Sequence, residues 1–134
     1  MYEGDVDIVV APGVDGEMGI LPHHAPLLTT LKPGVLKVRR GGEEEIFAVA
    51  GGVMEVRPDI VTVLADAAEH ADEIDVARAE EARQRAEESL RAGPLPGSEA
   101  FMAAEMALRR SNLRLQVAQR RRRAPRIESS GSGD

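Results

Sequence analysis

The chain has 134 residues, about one domain with an appendage, and no cysteine, which excludes disulfides and thiolate metal sites. No apolar run approaches the roughly 20 residues that span a bilayer as a helix, and no signal peptide opens the chain, so it reads as soluble and suits a cytosolic address. The net charge of −6 conceals an asymmetry: residues 1–73 hold 5 Lys+Arg against 14 Asp+Glu, residues 74–97 hold 4 against 5, and residues 98–134 hold 8 against 4, so a basic C-terminal arm that suits an acidic partner follows an acidic body.

In chain order, Asp5 to Pro12 alternates polar and apolar residues before a short apolar run, and Pro12-Gly13 stops it, which predicts a strand. A tight loop is expected from Gly13 to Gly19. The stretch Gly16 to Leu28 is too punctuated by glycine and proline for a helix and too apolar for a linker. It reads as strand, corner, strand, with Glu17, His23 and His24 carried outward at the corner. Lys32-Pro33-Gly34 then turns into Val35–Arg39, Gly41-Gly42 marks a hairpin, and Glu45–Ala50 is its second strand. Gly51-Gly52 reads as a bulge or close approach before Val53–Val56, and Arg57-Pro58-Asp59 turns into Ile60–Asp66.

The periodicity changes after Asp66. From Ile74 to Leu90 there is no glycine, proline or aromatic residue, and Ala79, Ala82, Ala86 and Leu90 share one helical face. Asp72 or Glu73 is expected to begin that helix, and Gly93-Pro94-Leu95-Pro96-Gly97 must break it. A second helix runs from about Glu99 to Arg122, capped by Ser98, with Ala100, Ala104, Ala107, Ser111 and Leu115 at helical spacing and Pro125 at its end. A short connection makes the two helices antiparallel neighbours whose alanine seam supplies little area, so the hairpin should separate easily. The fold class expected is an N-terminal antiparallel β-sandwich of about nine or ten short strands followed by a C-terminal antiparallel two-helix hairpin. The sandwich takes residues 1–70, the hairpin 71–126, and 127–134 form a disordered Ser/Gly-rich tail.

Four segments carry a resemblance: Gly16-Glu17-Met18-Gly19-Ile20-Leu21-Pro22-His23-His24-Ala25-Pro26-Leu27-Leu28, Leu31-Lys32-Pro33-Gly34, Ala48–Val56, and Val61–Asp66. In this order and spacing they resemble the epsilon subunit of bacterial F-type ATP synthases, from Tyr2 to about Leu115. The resemblance implies a non-catalytic rotor subunit that links the gamma shaft to the membrane c-ring. It further implies a mobile helical hairpin, folded down on the sandwich or extended along the shaft, where it inhibits ATP hydrolysis. Members of the family normally begin with another strand before the position of Tyr2, so the first strand of the sheet is expected to be missing.

Three sites follow from matched positions. Ile74-Asp75-Val76-Ala77-Arg78-Ala79 resembles the motif by which some epsilon subunits bind ATP, with Asp75 suited to the adenine amino group and Arg78 to the phosphates. Glu69, Arg85, and the pair Arg110 and Arg114, four apart on one helical face, complete that site. An Asp-x-x-Arg on a helix is by itself indistinguishable from a surface ion pair. No glycine-rich phosphate loop or magnesium-binding set accompanies it, so the site would sense ATP rather than hydrolyse it. Glu17 and His24 match positions that touch the rotor ring, and His23 departs from the glycine often found there. A histidine pair without a third ligand is not read as a metal site.

Arg120, Arg121, Arg122 and Arg123, with Arg126, form a basic run, ordinarily a solvated helix end, that the resemblance sets against the alpha and beta catalytic subunits. A nucleic-acid arm is the weaker reading of that run, because it lacks interleaved aromatics. The implied location is peripheral, on the cytoplasmic face of the bacterial plasma membrane. No cofactor is required, and ATP is a regulatory ligand. A free-standing nucleotide-sensing β-sandwich adaptor is the alternative.

Overall fold

The computed structural model describes residues 6–123, with side chains to Arg120. Eight strands are found among them: β1 Ile8–Gly13, β2 Gly16–Ile20, β3 Leu27–Leu31, β4 Gly34–Arg40, β5 Glu43–Val49, β6 Gly52–Arg57, β7 Ile60–Ala65 and β8 Ala68–His70. A 3₁₀ turn at Ala71–Glu73 leads into helices α1 Val76–Arg91 and α2 Glu99–Arg123.

All strand pairs are antiparallel, in the order β7-β6-β3-β1-β4-β5-β8, with β2 attached to β1. The sheet folds over at β1, which pairs with β4 through Ile8–Val10 and reaches β3 through Gly13 opposite Leu31. Between the two layers lie Val9, Ala11, Ile20, Leu31, Leu36, Val49, Met54 and Val56, all buried. Side chains alternate along a strand, so β5 serves two cores: Val49 and Phe47 face the sandwich interior, while Ile46 and Ala48 face outward.

That outward face is covered by α2. Ile46 and Ala48 pack with Ala71, Ile74, Val117 and Ala118, edged by Val35, Val76 and Leu113. The hairpin is therefore held by more than its alanine seam. Within the seam Ala79 and Ala86 of α1 and Ala104, Ser111 and Ala118 of α2 are buried, whereas Ala100 is exposed and Leu115 only half-buried. The α2 positions recur every seven residues, two helical turns, which keeps one narrow stripe against α1.

Several boundaries differ from those expected. There are eight described strands rather than nine or ten. β2 begins at Gly16, because Pro12 pairs with Glu17 and Gly13 with Gly16, leaving only a tight turn where a loop to Gly19 was expected. The first helix begins at Val76 with Asp75 as its cap, its Oδ1 accepting from the Arg78 N–H at 3.1 Å. Asp72 and Glu73 instead belong to the 3₁₀ turn, where the Glu73 carboxylate accepts from the His70 N–H. Ser98 caps α2 as expected, its Oγ accepting from the Phe101 N–H at 3.2 Å.

Candidate functional site

The site expected for nucleotide centres on the junction of β8, the 3₁₀ turn and the two helices. Glu69 is on β8 opposite Ala48, so its side chain shares the outward face that α2 covers. Across 45 residues of sequence Arg114 reaches it with two parallel hydrogen bonds, Nε to Oε1 at 2.7 Å and Nη2 to Oε2 at 3.1 Å. Both side chains are about two-thirds to three-quarters shielded from water, at 26% and 32% exposure. The hydrogen bonding to Glu69 is the main force raising the Arg114 pKa above its ordinary value, against desolvation, with the charges of Glu69 and then Asp75 adding to it. Asp75 therefore belongs to the same electrostatic cluster.

The other matched residues divide by role. Ile74 is buried in the hairpin-docking core and Ala79 is buried in the seam between the helices, so both act by packing. Arg78, Arg85 and Arg110 are exposed and make no ion pair among the described residues. The neighbouring Arg83, Arg91 and Arg109 differ in being paired with glutamates of their own helix: Arg83 with Glu80 and Glu87, Arg91 with Glu87, Arg109 with Glu105.

Helical geometry places the free arginines together. Arg78 and Arg85 each precede a buried seam residue, Ala79 and Ala86, by one position, about 100° around α1. Arg110 precedes buried Ser111 by one position on α2, and Arg114, three beyond Ser111, leans to the same side. In antiparallel helices equal offsets from the seam fall on the same flank. One side of the hairpin thus carries four guanidiniums, of which only Arg114 is neutralised. Such a flank can bind a polyanion through planar paired donors.

The second expected site divides along β2. Glu17 lies within that strand, exposed, and not in the corner, because its backbone is opposite Pro12 of β1. The corner proper holds His23 and His24. The His24 N–H donates to the Leu21 carbonyl and its ring Nδ1 donates to the Ala25 carbonyl at 2.7 Å. The His23 N–H donates to the Pro58 carbonyl, tying the corner to the β6–β7 turn. His23 has φ 65°, the left-handed region that disfavours any side chain. Replacing it with glycine should therefore stabilise the protein by about 0.5–1 kcal/mol, a melting temperature a few degrees higher by calorimetry. A lower melting temperature for His23→Gly would mean that the imidazole itself contributes at the corner.

Of the basic run, Arg120 is exposed; the side chains of Arg121, Arg122 and Arg123, and all of Arg126, Pro125 and the tail 127–134, lie outside the described residues. Among the described residues no three His, Asp or Glu side chains gather in a metal-binding set, and no helix is long and apolar enough to cross a membrane. The residues that sequence reasoning missed are those docking α2: Ile46, Leu113, Val117 and Ala118. Leu113 and Val117, four apart, were the available signal.

Comparison with known proteins covers both halves of the chain. The beta-sandwich domain of the ATP synthase delta/epsilon chain matches residues 1–71, and the long alpha-helix domain of the same chain matches residues 72–119. An ATP synthase epsilon chain of Dehalococcoides mccartyi is 54% identical over 129 residues, 95% of this chain and 90% of that one. The epsilon chain of Herpetosiphon aurantiacus is 52% identical over 118 residues, 88% and 85% of the two chains. A chain in the cryo-EM structure of the Euglena gracilis mitochondrial ATP synthase, comprising OSCP, F1 and c-ring, shares the fold with a TM-score of 0.74 at 24% identity, covering 89% of this chain and 73% of that one. With both of its domains matched and half of its residues shared with relatives over nearly their whole length, the chain belongs to the family of ATP synthase epsilon chains.

Proposed function

We propose that this chain works in the central stalk of an F-type ATP synthase, linking the gamma shaft to the membrane c-ring, and that its hairpin restrains ATP hydrolysis and is held down by ATP. It performs no chemistry of its own; its work is mechanical and regulatory, at the cytoplasmic face of the membrane. The observation that carries the sensing part is the arginine flank: Arg78, Arg85 and Arg110 lie free on one side of a docked hairpin while their neighbours are neutralised. Three unpaired guanidiniums on one flank make the local potential positive and favour an anion that joins them.

The remaining contacts follow from the surface. Leu28, Val53, Ile60 and Leu64 share one outward face of β3, β6 and β7 and are 41–71% exposed, an apolar patch suited to the gamma shaft. Glu17 and His24 face the polar loops of the ring. Arg120 and the basic residues after it meet the alpha and beta catalytic subunits when the arm extends.

Calorimetric titration of the isolated protein with ATP, with and without magnesium, tests the sensor. Saturable binding is expected, and Arg78→Ala and Arg114→Ala should each weaken it about tenfold or more, the worth of one charge-assisted phosphate contact. Absence of binding at millimolar ATP would overturn the sensing role and leave a rotor subunit whose arm is governed by its partners.

A further inference from the structure

We propose that Glu69 and Arg114 form an ionic latch that holds the hairpin on the sandwich when no nucleotide is bound. The inference rests on the reading of a hairpin that docks and releases, and it adds the device that sets the balance between the two.

The geometry singles out this pair. It joins the last strand of the sandwich to α2, whereas the ion pairs of Arg83, Arg91 and Arg109 lie within one helix and cannot affect docking. It is bidentate, which fixes the angle of approach as well as the distance. It also sits beside the docking core, since Ala48 is opposite Glu69 on the sheet and Leu113 precedes Arg114 on the helix. That core is small: Ala48, Ala71 and Ala118 are three of its six buried members. Where apolar area is short, a partly shielded ion pair becomes a sizeable share of the docking energy. Arg114 is also a member of the arginine flank, so in the nucleotide-free chain the Glu69 carboxylate supplies the anion that its guanidinium requires.

The latch is tested without nucleotide, because Glu69 and Arg114 both belong to the proposed nucleotide site. The chain has no cysteine, so a dye pair can be placed on Asp59→Cys and Gln119→Cys, both exposed, to read the separation of sandwich and α2 without nucleotide. In this background Glu69→Gln keeps the shape and removes the charge. It should raise the undocked fraction about threefold at low salt. Raising salt from about 50 mM to about 1 M should raise the undocked fraction of the parent protein toward that of Glu69→Gln and leave Glu69→Gln nearly unchanged, since the screened interaction is already gone. The exchange Glu69→Arg with Arg114→Glu should recover docking.

A Glu69→Gln protein with the docking and salt response of the parent would overturn the latch. So would effects of Glu69→Gln and Arg114→Gln that simply add in the double variant. Circular dichroism of each variant checks that the sandwich is folded. Failure of ATP to bind the parent protein would overturn the sensor and leave the latch standing, so the two proposals fail separately.

Discussion

Val117→Asp should release the hairpin while the sandwich stays folded. Val117 is fully buried, 0% exposed, against Ile46, Ala48, Ala71 and Ile74, with no polar partner among these neighbours. A carboxylate there must either lose its hydration or push α2 off the sheet, and an unpaired buried charge costs several kcal/mol. The docking core cannot offset that, because half of its buried members are alanine. The sandwich core of Val9, Ala11, Ile20, Leu31, Leu36, Val49, Met54 and Val56 shares no buried residue with it and should survive.

Limited trypsin digestion reads the outcome. Cleavage at the arginines of residues 76–120 should accelerate at least about tenfold, while the fragment containing residues 8–57 persists. In the assembled synthase a permanently released arm should also inhibit ATP hydrolysis more strongly than the parent chain. Unchanged protection of the helices would mean that the seam between α1 and α2, and not the contact with β5, holds the hairpin in place.

Gly52→Ala should do the reverse and unfold the sandwich. Gly52 sits between two neighbours, paired with Leu31 of β3 and with Ala65 of β7, at φ 148°. A Cβ at that position would lie 2.2 Å from the Leu64 carbonyl oxygen and 2.8 Å from the Ala65 Cα. Both are backbone atoms held by the sheet, so no rotamer change relieves the clash, and the strands would have to separate. The cost should be about 3 kcal/mol or more, lowering the melting temperature by roughly 10 °C or more in calorimetry. Gly41→Ala is the control: its φ is 61° but nothing lies within 4 Å, so its penalty should be the backbone strain alone, about 1–2 kcal/mol. Equal penalties for the two would show that conformation, and not the close approach, dictates glycine at position 52.

The two substitutions separate what the molecule does. Gly52 maintains the platform that bears Glu17, His24 and the exposed apolar face of β3, β6 and β7, while Val117 maintains the docked state of the arm. The proposed motion of the arm on a rotor-bound sandwich requires these two cores to be independent, and they meet at β5, which lends Val49 to one and Ile46 and Ala48 to the other, and at β4, where Leu36 is in one and Val35 edges the other.

Most of this architecture was legible in the residues themselves. Pro58-Asp59 and Gly41-Gly42 end strands wherever they stand, because they restrict or free φ locally. The run from Ile74 to Leu90 without glycine or proline could only be helical, and Gly93 to Gly97 had to interrupt it. The caps were less certain: Asp72, Glu73 and Asp75 are all competent, and the choice of Asp75 follows from Ala71 and Ile74 being buried under α2, which bends the intervening residues into a 3₁₀ turn.

The sequence by itself determined the order of strands and helices, the break between the helices and the positions of the arginines, since each depends on backbone preference and helical period over a few residues. Only the tertiary structure decided that β5 is covered on both faces, that Leu113 and Val117 rather than Leu115 secure α2, and that Glu69 meets Arg114 across 45 residues. These depend on which surfaces meet when the chain closes on itself, and local spacing along the chain contains no measure of that distance.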